Sequence, residues 1–152
     1  MKKIYLAGFD VFYPDAIQRG ERMKAACKER NLCGLFPCDN HADNAHDIFQ
    51  GNVDLIRQAD IVVANLNWFR GQEMDCGTAF EIGYAYAMGK DIWGYLDDDT
   101  PMVEQLGEID ENGFSVENFG APVNLMIAQS SHIVCGSFTD CLDAVRKHLD
   151  ES

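Results

Sequence analysis

The segment Asp60-Ile61-Val62-Val63-Ala64-Asn65-Leu66 most narrows what this chain can fold into. An uninterrupted apolar run bounded by polar residues suits a strand covered on both faces, and such strands belong to parallel sheets joined through helices. The rest of the chain supplies both. Lys3 to Gly8 reads as a short first strand ending in glycine, and Leu32 to Phe36 as a second strand closed by Pro37. Lys90 to Leu96 and Ser131 to Cys135 read as the fourth and fifth. Helical spacing of apolar residues predicts helices over Pro14 to Arg30, Ala45 to Gln58, Cys76 to Met88 and Thr139 to Leu149. A short helix with proline in its first turn is expected over Pro122 to Gln129, and an irregular excursion from Asp97 to Gly120. Five strands interleaved with helices mean an α/β fold: an open, mostly parallel sheet with helices on both faces.

The 152 residues show no repeat, linker or low-complexity stretch, so a single domain over 1–152 is expected. In an open parallel sheet, ligands bind outside the carboxyl ends of the strands. That points to the loops after Gly8, Phe36, Leu66 and Leu96 before any motif is used. These loops are rich in carboxylates and poor in histidine.

Charge and missing motifs remove several function classes. The formal net charge is −13, whereas nucleic-acid phosphates and anionic membranes require a basic surface. Neither is an expected partner, and an uncharged small molecule is compatible. GxGxxG, the Walker lysine loop, HExxH and GxSxG are all missing, which points away from dinucleotide redox, phosphoryl-transfer, zinc-hydrolase and serine-hydrolase chemistry. The six cysteines match no zinc framework and form no CxxC pair; they are expected to be reduced and mostly buried. The four histidines lack ligand-like spacing, so no metal is expected. No stretch is long and apolar enough to cross a membrane, and the opening apolar run is too short for an export signal, which makes the cytoplasm the expected location.

The most informative stretch is Gly71-Gln72-Glu73-Met74-Asp75-Cys76-Gly77-Thr78-Ala79-Phe80-Glu81-Ile82-Gly83-Tyr84-Ala85. Asp75 fits a helix N-cap. Gly77 stands four residues before Glu81, on the same helical face, and leaves room for a ligand above the glutamate. A carboxylate so placed can attack a sugar anomeric carbon. On pattern alone a second reading stands beside it, in which Glu81 is the polar edge of an amphipathic helix and Asp75 a plain cap. Asp54 and Asp60 likewise read as a solvated helix position and a turn into the third strand. Trp68 and Phe69 either cover a ligand or pack the loop onto the core.

Taken together, the motifs resemble the nucleoside 2-deoxyribosyltransferases. The similar segments are Tyr5-Leu6-Ala7-Gly8 with Phe12 and Pro14-Asp15, Pro37-Cys38-Asp39-Asn40, Asn52-Val53-Asp54 with Ala59-Asp60, the Gly71–Ala85 stretch, and Pro122-Val123-Asn124-Leu125-Met126. They follow the family's order over nearly the whole chain. The resemblance implies a flavodoxin-like sheet, no cofactor, and 2′-deoxyribonucleosides and free nucleobases as substrates. It implies Glu81 as nucleophile, Tyr5 holding it through its hydroxyl, and Asp75 assisting the proton of the leaving base. Gly8, Phe12, Asp39, Asn40, Asp54 and Gly77 are implied in substrate binding. Asn124 and Met126 are implied to complete the site of a neighbouring subunit, so a homo-oligomer, dimer or hexamer, is expected. The segment from Pro101 to Ala121 is longer than in compact members. Related 2′-deoxynucleoside 5′-monophosphate N-glycosidases share the fold and the glutamate chemistry but bind phosphate; Asp10 in the opening loop ranks that reading second. A non-catalytic nucleoside-binding domain ranks third.

Overall fold

The computed structural model describes all residues 1–152. Five strands form one parallel sheet in the order β2-β1-β3-β4-β5, with β1 Lys2–Ala7, β2 Leu32–Leu35, β3 Ile61–Asn65, β4 Asp91–Leu96 and β5 His132–Cys135. The helices are α1 Ala16–Glu29, α2 Ala45–Gln58, α3 Cys76–Ala87, α4 Met102–Leu106, α5 Leu125–Ser130 and α6 Phe138–Glu151. This is the doubly wound order that leaves a crevice where β1 and β3 send their chains in opposite directions.

Period-two alternation along the strands divides the interior into two half-cores. Tyr5 and Ala7 of β1, Val62 and Ala64 of β3, and Ile92 and Leu96 of β4 face α2, α3 and α5, meeting Ile56, Ile82, Ala85 and Ile127. Ile4, Leu6, Ile61, Val63 and Tyr95 face the other way, onto Met23 and Cys27 of α1 and Leu142 and Val145 of α6. Each central strand is buried on both sides, which is why its sequence is apolar without interruption.

Helix ends follow their local chemistry. Asp75 Oδ2 accepts from the Thr78 amide at the start of α3, and Asn44 and Ser137 do the same for α2 and α6. Gly89 ends α3 with a φ of 70°, a conformation that glycine adopts without strain.

The structure corrects three expectations. The helix near Pro122 begins at Leu125, because the side chain of Asn124 captures the Met126 amide and sets the boundary there. The excursion after Asp97 is not wholly irregular: it contains α4, and Ile109 and Ser115 form an antiparallel bridge. Of the six cysteines, only Cys27 and Cys141 are buried, Cys33 and Cys38 are partly so, and Cys76 and Cys135 are exposed; all six are free thiols. No helix is long and apolar enough to cross a membrane.

Gly20, inside α1, gives a test of the packing. A Cβ there would collide with the ring of Phe36, itself buried. Alanine in a helix interior normally gains about 1 kcal/mol over glycine, but overpacking a filled core costs about 1–3 kcal/mol. Gly20→Ala is therefore expected to lower the midpoint of urea unfolding, the reverse of the helix-propensity effect. An unchanged or higher midpoint would show that Phe36 moves aside freely.

Candidate active site

At the carboxyl ends of β1 and β3, a cavity of about 830 Å³ opens between α2, α3 and the loops after β1 and β2. Its floor is made by Glu81 and Gly77 of α3 and by the N-cap Asp75. Gly8 and Phe12 form one rim, and Asn40 lies on another. Gly8 holds a φ of 147°, and a Cβ there would stand 2.7 Å from the Cβ of Asn65, so only glycine fits this turn.

Glu81 and Tyr5 meet although 76 positions separate them in sequence. Tyr5 points from β1 toward α3 because its strand alternates, and its hydroxyl donates to Glu81 Oε2. Burial, foremost, pushes the Glu81 carboxyl up to about 7; the Tyr5 hydrogen bond opposes this and the nearby Asp75 charge reinforces it. Burial and the Glu81 charge raise the Tyr5 hydroxyl far above its ordinary range, so it remains a donor. Glu81 Oε1 has no partner within the chain. Asp75 uses Oδ2 to bind the Thr78 amide and hydroxyl at 3.1 and 2.8 Å, leaving Oδ1 free at the cavity wall.

Four candidates from the sequence, Asp54, Asp39, Asn124 and Met126, fall outside this cavity. Asp54 lies on the solvent side of α2, where it pairs with Arg57 at 3.0 Å. Asn52, two positions earlier, points into the cavity instead, because a two-residue step in a helix turns the side chain about 200°. Asp39 staples its own turn: Oδ2 accepts from the Phe36 amide and Oδ1 from Lys24 Nζ. Asn124 and Met126 line a separate apolar cavity against the outer side of α3, so within one chain they do not reach Glu81. Glu117, from the long 101–121 segment, accepts from the Asn124 side-chain Nδ2 through Oε1 and from the Leu125 backbone N–H through Oε2, both at 2.8 Å, which fixes the approach to α5.

The loop aromatics also separate. Phe69 stacks between Phe9 and Phe12, with centroids 5.0 and 5.2 Å away, and Arg70 covers Phe12 and Phe69. Trp68 lines a small neighbouring cavity instead. Asp10 is turned away from the Glu81 cavity, buried and bonded to Arg19 and Asn65, so it does not act on a ligand there. None of the residues lining the Glu81 cavity is lysine or arginine.

Sequence reasoning missed Asn52, Phe49 and Phe80 as cavity walls. Ile48, Phe49, Val53 and Ile56 read as a stripe that packs a helix onto a core, yet Ile48 and Phe49 remain exposed at the cavity. The one available signal was the polar Asn52 within that stripe; its Oδ1 accepts from Asn40 Nδ2 at 3.2 Å, and its own Nδ2 is unpaired.

Two measurements test these electrostatics. Tyr5→Phe removes the interaction that holds the Glu81 carboxyl down, so its titration, followed by carboxyl ¹³C resonances, is expected to move above the wild-type midpoint; an unmoved midpoint would contradict the pairing. The folded-state value lies above the ordinary glutamate value of 4.5, so ionising Glu81 opposes folding. That cost is absent below the unfolded value and complete above the folded one. Glu81→Gln should therefore gain in Tm relative to wild type as pH rises from about 4.5 through 7. A difference that does not change over this window would rule out the burial effect.

A family model described as nucleoside 2-deoxyribosyltransferase matches residues 4–126. The chain is similar to a 2-desoxiribosyltransferase from Leishmania mexicana, with 41% identity, a TM-score of 0.89 and coverage of 97% of this chain and 99% of the other. A 2-deoxyribosyltransferase from Bacillus psychrosaccharolyticus matches at 20% identity and TM-score 0.62 over 95% of each chain. A CMP N-glycosidase from Clostridium botulinum, BcmB, matches at 19% and 0.54 over 99% of this chain and 100% of that one. These last two likenesses show the fold alone. A curated protein of Schizosaccharomyces pombe is 33% identical over 113 residues, 68% of this chain; the matched region spans 54% of that relative's length. The family model, spanning most of the residues that build the sheet and the Glu81 cavity, places the chain in the nucleoside 2-deoxyribosyltransferase family.

Proposed function

We propose that this chain is an enzyme that transfers the 2-deoxyribosyl group from one nucleobase to another through a glycosyl ester on Glu81. The observation that carries the reading is the desolvated Glu81, oriented by Tyr5 through one oxygen and open to the cavity through the other. The Oε1 lone pair forms the bond to the anomeric carbon as the bond from that carbon to the base nitrogen breaks. The departing electron pair on the base takes up a proton, and the free Oδ1 of Asp75 is placed to relay it. The transition state has oxocarbenium character, which a nearby carboxylate stabilises. A second base then attacks from the face the first one left and releases Glu81. Two inversions give retention and ping-pong kinetics. The family match and the likeness to the Leishmania mexicana 2-desoxiribosyltransferase support a 2-deoxyribosyl donor, and with it 2′-deoxyribonucleosides and free bases as the substrate class.

The pocket is apolar and aromatic where it is not carboxylate or amide: Phe12, Phe49 and Phe80 can flank a planar base, and Asn52 Nδ2 offers a donor to its edge. The lack of a lining cation favours a free 5′-hydroxyl over a 5′-phosphate, which ranks the monophosphate N-glycosidase reading second. Asn124 and Met126, exposed on the outer side of α3, belong in this reading to the site of a neighbouring copy.

The test is a reaction containing 2′-deoxyinosine and adenine, resolved by chromatography. Formation of 2′-deoxyadenosine and hypoxanthine is expected, with Glu81→Ala reducing the rate at least roughly a thousandfold. Release of free base from a 5′-monophosphate without exchange would replace this reading with the glycosidase. No reaction across purine and pyrimidine donors would leave a nucleoside-binding domain.

A further inference from the structure

The opening turn Phe9–Phe12 separates two cavities. Val11 and Phe12 face the Glu81 cavity, whereas Phe9, Asp10 and Tyr13 face a second one of about 450 Å³, on the side of the sheet that carries α1 and α6. The two cavities share no lining residue.

Donors converge on the second cavity. Tyr95 of β4 is only 6% exposed, and its hydroxyl, at the cavity wall, makes no hydrogen bond within the chain. Ser131 Oγ is the one side-chain polar atom that is both closed off from solvent and unpaired, so the Tyr95 hydroxyl reaches the cavity's own space, free to donate there. Burial, with Asp10 nearby, raises its ionisation well above the ordinary range, so it stays protonated and able to donate. Arg19 uses only Nε to hold Asp10, at 2.8 Å, with its guanidinium lying 3.8 Å over the Tyr13 ring, so both terminal nitrogens remain available. The N-terminus of the 14-residue α6 opens onto the same space through Phe138 and Thr139, whose amides have no intrahelical acceptor. Arg22, paired with Asp15 at 3.1 Å, stands at the rim. Four carboxylates stand around the cavity: Asp10 has one oxygen on Arg19 and the other on Asn65, Asp15 is paired with Arg22, Asp140 Oδ2 accepts from the Ser137 amide and hydroxyl in the cap of α6, and Asp97 stands exposed at the edge.

We propose that the cavity bounded by Arg19, Tyr95 and the start of α6 is a second ligand site that binds a phosphate group, free or carried on a small phosphomonoester. The phosphate oxygens take the Arg19 terminal N–H groups, the Tyr95 hydroxyl and the α6 amides, a planar-plus-dipole arrangement suited to an oxyanion. Phe9, Tyr13 and Phe138 leave apolar wall beside it for the organic part of an ester. The site lies outside the Glu81 cavity and does not depend on the activity proposed for it.

The experiment is calorimetric titration of the intact protein with inorganic phosphate and, separately, with phenyl phosphate. Saturable binding is expected, weakened about tenfold by Tyr95→Phe, which removes one hydrogen bond to a charged group. That hydroxyl bonds to nothing in the chain, so the substitution leaves the fold's own hydrogen bonds intact; equal Tm values for the two proteins check this. Glu81→Gln is expected to leave phosphate binding unchanged. Tighter binding of phenyl phosphate would identify an ester as the ligand, and equal binding would identify free phosphate; either supports the site. No saturation by about 10 mM of either probe, equal affinity in Tyr95→Phe, or loss of binding in Glu81→Gln alone would overturn it.

Discussion

A parallel sheet cannot leave either face to water, because its strands are joined by helices that must be packed somewhere. In this chain that requirement sets the positions of almost everything else. Strands β1, β3 and β4 split their side chains between two half-cores, and each helix is held by the stripe it offers to one of them. Tyr5 is on the α3 side by alternation, and so its hydroxyl arrives beneath the first turns of α3. The chemistry of the site is thus built from backbone periodicity: a strand of period two and a helix of period 3.6 bring together two residues remote in sequence.

The electrostatics follow from the same geometry. Glu81 stands where water is largely excluded, near a second carboxylate, and both conditions disfavour its charge. One phenol hydroxyl works in the opposite direction. The balance leaves a carboxyl pushed up to about 7, poorly solvated yet fixed in direction by a single donor. Such a group is a liability for stability, and a carboxyl shifted in this way at a cavity floor marks a candidate functional site on physical grounds.

The sheet, its strands and the four long helices were legible in the sequence because burial on both faces writes itself as uninterrupted apolar runs, and helix caps are written in single residues such as Asp75 and Gly89. The convergence of Tyr5, Asp75 and Glu81 was legible only through motif resemblance, since no periodicity in one segment reports on another. Asp54 and Asn52 mark the limit. Both are polar residues in one amphipathic helix, and which of them meets the cavity depends on the helix's rotation against α3, a tertiary quantity. Asp39 shows the converse: a carboxylate in a site-facing loop whose oxygens are consumed locally by Phe36 and Lys24. The paired cations and buried phenol around Arg19 and Tyr95 left no mark in the sequence at all, because they come from α1, β4 and α6.

The turn Phe9–Phe12 serves as a common wall with different furniture on each side. It is a 3₁₀ turn, in which each residue advances the side-chain direction by about 120°. A residue inserted before Asp10 would therefore rotate both Asp10 out of its bond with Arg19 and Phe12 out of the other chamber. The length of the segment is thus as much a constraint as its side chains, because only at this spacing do Asp10 and Phe12 fall on opposite sides of the wall.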